Sequence, residues 1–135
     1  MCLMAGLIEA NARHYGNKEH KNYISQNAIG RYYAKWVKSE PFDIGSTTSK
    51  AFGKLVNLPY AHTAKHHSKE KNQDSVSNGS MMRCTPMAVW SSSLQSDKDV
   101  FDAVRCDVEF THPNRLVQEA VFIYVRAIKY LLNNP

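Results

Sequence analysis

The stretch Ser77-Asn78-Gly79-Ser80-Met81-Met82-Arg83-Cys84-Thr85-Pro86 lies mid-chain, after a polar segment and before a run of apolar residues. Asn-Gly pairs readily take positive φ, so the backbone at Asn78 and Gly79 is expected to curl and aim successive N–H groups the same way. Such a curl is an anion nest. With the Ser80 hydroxyl and a helical segment following, it suits a phosphate or a ribose, although the same pair also serves as a plain turn.

Downstream, Met87, Ala88, Val89 and Trp90 read as buried, and Ser91-Ser92-Ser93 weakens any helix there. Ser96 is placed to cap a new helix carrying Val100, Phe101 and Val104, with Asp99 at the third position of a capping-box variant. Asp97 and Asp99 therefore read as a helix start, not as a metal-binding pair. Thr111-His112-Pro113-Asn114 then breaks the pattern, and Pro113 suits the first turn of the next helix. In that helix Leu116, Val117, Ala120, Val121, Tyr124, Ala127, Ile128, Leu131 and Leu132 form an unbroken apolar stripe. His112 sits at the loop-to-helix junction, where a neutral imidazole can donate to a ligand oxygen.

Upstream, Leu3, Met4, Leu7, Ile8, Ala12 and Tyr15 recur at helical spacing, and Gly16 stands where a C-terminal cap belongs. No residue precedes that helix to cap its first amides, which gives the chain the look of a cut end. A second helix is expected through Ile24, Ala28, Ile29, Tyr32, Tyr33, Trp36 and Val37, stopping before Pro41. Asp43-Ile44-Gly45-Ser46-Thr47-Thr48 follows as a loop in which Gly45 permits close backbone approach. Thr47 or Thr48 is placed to cap a helix carrying Ala51, Phe52, Leu55 and Val56. Residues 57–76 are polar and read as a loop or frayed helix. His62 and His66, four apart, share a helical face as zinc ligands do, but the ligand count is incomplete and lysines crowd the segment.

The run Asn78-Gly79-Ser80-Met81-Met82-Arg83 with Pro86 resembles the N-G-S-x-M-R-x-x-P loop of the ADP-ribosylglycohydrolases, enzymes that remove ADP-ribose from modified side chains. Phe42-Asp43-Ile44-Gly45-Ser46-Thr47-Thr48 and Thr111-His112-Pro113-Asn114 fit the same family in the same order. The chain is similar in this way to ADP-ribosylarginine hydrolases and dinitrogenase reductase-activating glycohydrolase, most clearly from Tyr33 to Asn133. The resemblance implies an all-α, orthogonal multi-helix domain over residues 1–135, incomplete at both ends. It implies Asp43 as the catalytic acid at the ribose, and Gly45, Asn78, Gly79, Ser80, Met81 and His112 as ligand-binding residues. Arg83 is explained equally well by a buried ion pair.

The resemblance also implies two divalent metals, Mg²⁺ or Mn²⁺, held by an early Thr-Asp-Asp block and a late D-x-D block. Neither block stands at its expected position, so no ligand set is identified here. Two readings follow: a hydrolase core acting on the glycosidic bond of ADP-ribosyl groups, or a binding-only ADP-ribose or scaffold protein. The partner is ADP-ribose or an ADP-ribosylated protein in both.

Length and composition bound the rest. At 135 residues the chain is the size of one domain, and with 43% hydrophobic and 21% charged residues it reads as globular. No stretch approaches the roughly eighteen consecutive apolar residues of a membrane span, and Met1–Ile8 lacks the basic lead and cleavage site of a signal peptide. Cys2, Cys84 and Cys106 are too widely spaced for a zinc ribbon or a disulfide framework, which favours a reducing, cytoplasmic setting. The net charge of +5 is carried by scattered Lys and Arg residues with no nucleic-acid-binding motif, so a solvated basic surface is the simpler reading.

Overall fold

The computed structural model describes residues 1–13, 24–53 and 60–135, and every regular element among them is helical. Gly16, Leu55 and Val56, with their expected cap and stripe, lie outside the described residues. Helix α1 (Cys2–Arg13) packs on α2 (Gln26–Lys38), and α3 (Ser46–Phe52) and α2 both pack on α4 (Tyr60–Lys71). A 3₁₀ turn (Met81–Arg83) leads into the short α5 (Thr85–Trp90), while α6 (Asp97–Val108) and α7 (Arg115–Asn133) form an adjacent pair.

Helix α1 meets α2 at Gly6, where an added Cβ would come within 2.7 Å of the Ile29 Cα. Only a residue without a side chain permits that approach. The buried face of α1 is accordingly Leu3, Gly6, Leu7 and Ala10, while Met4, Ile8 and Ala12 of the expected stripe face outward. Helix α2 starts where Ser25 accepts from the Ala28 amide at 3.2 Å. It ends through Glu40, whose φ of 51° is the left-handed conformation that closes a helix just before Pro41.

Several expectations are corrected. Residues 60–71 form a full helix, because Ala61, Ala64 and Ser68 make a buried stripe of small residues on which Gly30 of α2 closes. Their low hydropathy conceals the helix from an apolar-periodicity reading. Helix α3 begins directly after Gly45, without a side-chain cap, so neither Thr47 nor Thr48 caps it. Pro113 precedes α7, whose first free amides are met by Asn114, which accepts from Leu116 N at 2.9 Å. The buried line of α7 is Val117, Val121 and Val125, while Leu116, Tyr124, Leu131 and Leu132 are exposed. Val89 is also exposed, although Met87 and Ala88 beside it are fully buried. The expected cap at Ser96 is present, with Asp99 N donating to its hydroxyl at 3.4 Å.

The core reaches the site through three rings. Phe52 and Phe110 stack at 6.0 Å, and Tyr33 meets both edge-on at 5.6 and 5.8 Å. Each such side chain contributes about 1.5–3 kcal/mol by burial, and together they fix α2, α3 and the corner after α6 against one another.

Candidate functional site

Three connections meet above these rings: the start of α3, the segment between α4 and the 3₁₀ turn, and the corner between α6 and α7. The residue that ties them is Asn72, buried where α4 ends. Its side-chain amide donates to the Thr47 carbonyl at 2.8 Å and to the Thr111 carbonyl at 3.0 Å. A buried amide that satisfies two loop carbonyls spares both the cost of lying unpaired. Asn114 adds a second tie, donating to the Gln73 carbonyl at 3.1 Å.

On this frame the hydroxyls of Thr47, Ser75 and Ser77 form a triangle with sides of 2.8, 3.2 and 3.4 Å. Ser77 also lies 2.8 Å from His112 Nε2, and Thr111 Oγ1 lies 2.7 Å from His112 Nδ1. Thr111 Oγ1 accepts from Arg83 Nη1 at 2.9 Å. Arg83 in turn pairs with Asp107 through Nε at 3.1 Å, donates to the Asp107 carbonyl at 3.0 Å, and lies over the Tyr33 ring. Tyr33 completes the network by donating its hydroxyl proton to Asp107 at 2.6 Å. Sequence reading offered an ion pair as one explanation of Arg83, and that is its arrangement here.

Burial, with Arg83 nearby, holds the His112 imidazole well below the usual histidine range, at about 4. It is therefore neutral at physiological pH. Burial, reinforced by the Asp107 charge, pushes the Tyr33 phenol up, so it remains a donor.

Two cavities flank the junction. One, of about 910 Å³, is polar and is lined by Thr47, Ser75 and Ser77 together with Lys50, Lys69 and Lys71 and with the carboxylates of Glu70 and Asp74. The other, of about 240 Å³, is lined by Tyr33, Trp36, Phe52, Thr48 and Gly79, with Arg83 also on its wall. Neighbouring residues thus face different cavities: Thr47 and Ser77 the first, Thr48 and Gly79 the second.

The expected site residues separate into groups. Gly79 and His112 are together, since a Cβ on Gly79 would lie 3.6 Å from the His112 ring. Ser80 is buried beside them in the chain, and its hydroxyl has no hydrogen-bond partner among the described residues. Met81 packs against the hydrophobic core. Asn78 is exposed, and its carbonyl accepts from Met82 N at 3.0 Å. The expected positive-φ curl is absent: neither Asn78 nor Gly79 takes a positive φ, and Ser80 is in the right-handed region. The loop instead winds directly into the 3₁₀ turn, which supplies the bend that a left-handed pair would have made. Asp43 and Gly45 lie exposed on the neighbouring loop and line neither cavity; Gly45 has open space where a Cβ would stand.

Asn72, Ser75, Ser77, Asp107 and Thr111 were missed by sequence reading. Asp107 carried a usable signal, because it falls on the same face of α6 as Val100, Val104 and Val108, and a carboxylate on a buried stripe demands a cation.

Among the described residues no group of three His, Cys, Asp or Glu side chains is arranged to hold a metal ion. The residues described here therefore do not fit the divalent pair implied by the resemblance. His62 and His66 stack at 6.5 Å, and His66 faces Glu70 at 3.4 Å. No helix among the described residues is long and apolar enough to cross a membrane.

Comparison with known proteins gives two findings and one blank. The family model described as ADP-ribosylglycohydrolase matches residues 1–135. A protein of Acanthamoeba polyphaga mimivirus, named as an ADP-ribosyl glycohydrolase, is 30% identical over 106 residues, covering 76% of this chain and 31% of its own length. The chain thus spans about a third of the length of that relative. No solved structure matches.

Proposed function

We propose that this chain, which belongs to the ADP-ribosylglycohydrolase family, supplies the face that binds the ADP-ribosyl group of a hydrolase acting on its glycosidic bond. The observation that carries the reading is the convergence of Thr47, Ser75, Ser77 and three lysines on one polar cavity beside Gly79. An ADP-ribosyl group presents a dianionic diphosphate between two riboses, and hydroxyl donors with lysine ammonium groups complement that charge.

In this reading Gly79, on the wall of the neighbouring cavity, leaves room for the ligand to pass beside the loop, and the resemblance assigns Asn78, Met81 and Gly45 to the same ligand. Ser80, which the resemblance also assigns to the ligand, carries a buried hydroxyl whose unpaired state costs about 1–3 kcal/mol. His112 stands behind the loop as a neutral group. Asp43, exposed on the adjoining loop, acts at the ribose.

Hydrolysis breaks the bond from the anomeric carbon to the nitrogen or oxygen of the modified side chain. The bond breaks through a cation-like sugar, water adds its oxygen to the anomeric carbon, and the proton that water loses balances the one taken up by the leaving nitrogen or oxygen. A carboxylate at the ribose stabilises that positive charge or takes the proton from water. No step is assigned to a metal. The free cysteines Cys2, Cys84 and Cys106 suit the reducing interior of a cell, where we place the protein.

Isothermal titration with ADP-ribose, with and without Mg²⁺, tests the reading. Binding in the micromolar range or tighter is expected, and its absence from a folded sample would remove the proposal. Release of ADP-ribose from a modified arginine peptide distinguishes hydrolysis from binding alone.

A further inference from the structure

We infer that His112 acts on the ligand through Ser77, whose hydroxyl is the contact made in the polar cavity, and that His112 is a positioning residue. This rests on the reading of the cavity as the ADP-ribosyl site. It differs from a direct imidazole contact in where the ligand meets the protein.

His112 is fully buried, and both of its ring nitrogens are already engaged. The direction of each bond is part of the inference, and Arg83 is its one fixed donor. Arg83 can only donate, so it occupies a lone pair on Thr111 Oγ1. A second lone pair remains on that oxygen, so we take it as a premise that Thr111 gives its own proton to His112 Nδ1, 2.7 Å away. A neutral imidazole accepting at Nδ1 carries its proton on Nε2, so His112 donates to Ser77 Oγ.

Ser77 is exposed at the cavity wall. With one lone pair taken by Nε2–H, its own proton points away from the histidine. Without a ligand that proton goes to Thr47 Oγ1, 3.2 Å away. This is the weakest kind of link in the chain, a long bond between two neutral hydroxyls, and a phosphoryl oxygen is a far stronger acceptor. Binding therefore exchanges the Thr47 contact for one to the diphosphate, and the donors behind Ser77 polarise its hydroxyl in the favourable sense.

Titration of wild type, Ser77→Ala and Ser77→Thr with ADP-ribose, with the imidazole ¹⁵N resonances of His112 followed throughout, tests the inference. Ser77→Ala is expected to weaken binding about tenfold, the loss of one hydrogen bond to a charged group, with thermal unfolding nearly unchanged. Ser77→Thr, which restores the hydroxyl, is expected to recover most of the affinity. In wild type the Nε2 resonance should move on binding while Nδ1 stays in place. Equal binding by wild type and Ser77→Ala, or a Nε2 resonance indifferent to ligand, would overturn the inference and leave the proposed function standing. Failure of wild type to bind ADP-ribose would overturn both.

Discussion

Arg83 and Asp43 sit in two of the short segments that carry the resemblance, yet the fold treats them in opposite ways. Arg83 is enclosed by Asp107, Thr111 and the Tyr33 ring, and its charge is matched by a carboxylate only 1% exposed. Asp43 is exposed and makes no hydrogen bond or ion pair with any described residue. A buried charge must be paired or the fold fails, whereas an exposed one is already solvated and costs the fold nothing. The Arg83 network therefore couples stability to site geometry, and the Asp43 loop leaves its acid free to act on a ligand alone.

The sharpest way to break that contrast is Asp107→Ala, which strands the Arg83 guanidinium. A loss of about 3–5 kcal/mol in urea unfolding is expected, and a loss under about 1 kcal/mol would show that the network is no more than a surface pair. The next largest effect is a pH dependence. Folded His112 takes up its proton only near pH 4, whereas the unfolded chain does so near 6.5. Below that pH the unfolded state binds more protons, so stability is full above about 6.5 and falls toward 4 by on the order of 2–3 kcal/mol. Replacing the histidine by His112→Gln should flatten that part of the profile, and an unchanged slope would remove the imidazole as its source. The smallest effect on stability belongs to Asp43→Asn, expected within about 0.5 kcal/mol of wild type. Its effect on ADP-ribose release should be large, at least about tenfold in rate. A variant that unfolds early, or one that keeps full hydrolytic rate, would erase the distinction between the two loops.

Much of the architecture was legible from residue spacing. Helices α2, α6 and α7 announce themselves by apolar periodicity, and α6 also by Ser96 at its start; the caps Ser25 and Asn114 emerged only with the structure. Helix α4 did not, since Ala61, Ala64 and Ser68 bury little apolar area and its other face is lysine and histidine. Its stability comes from what it packs on, which spacing does not encode. The α7 stripe was read too wide for the same reason: α5 and α6 cover one side of it, where Val117, Val121 and Val125 are buried and Phe122 and Ile128 partly so.

The site shows the same division. The three motif loops were legible, as was a candidate role for Gly79 and His112. That Asn72 ties two of those loops, and that Ser77 stands between His112 and the cavity, depends on contacts between residues 25 to 39 positions apart.

The sequence by itself determined the helical class, the start of α6 at Ser96 and the family, because each rests on local spacing or on short ordered motifs. Only the tertiary structure decided which polar residues are enclosed, that His112 lies between Ser77 and Thr111, and that Asp43 stands outside that network. Those depend on desolvation and on hydrogen bonding. Neither exists until distant segments are brought together.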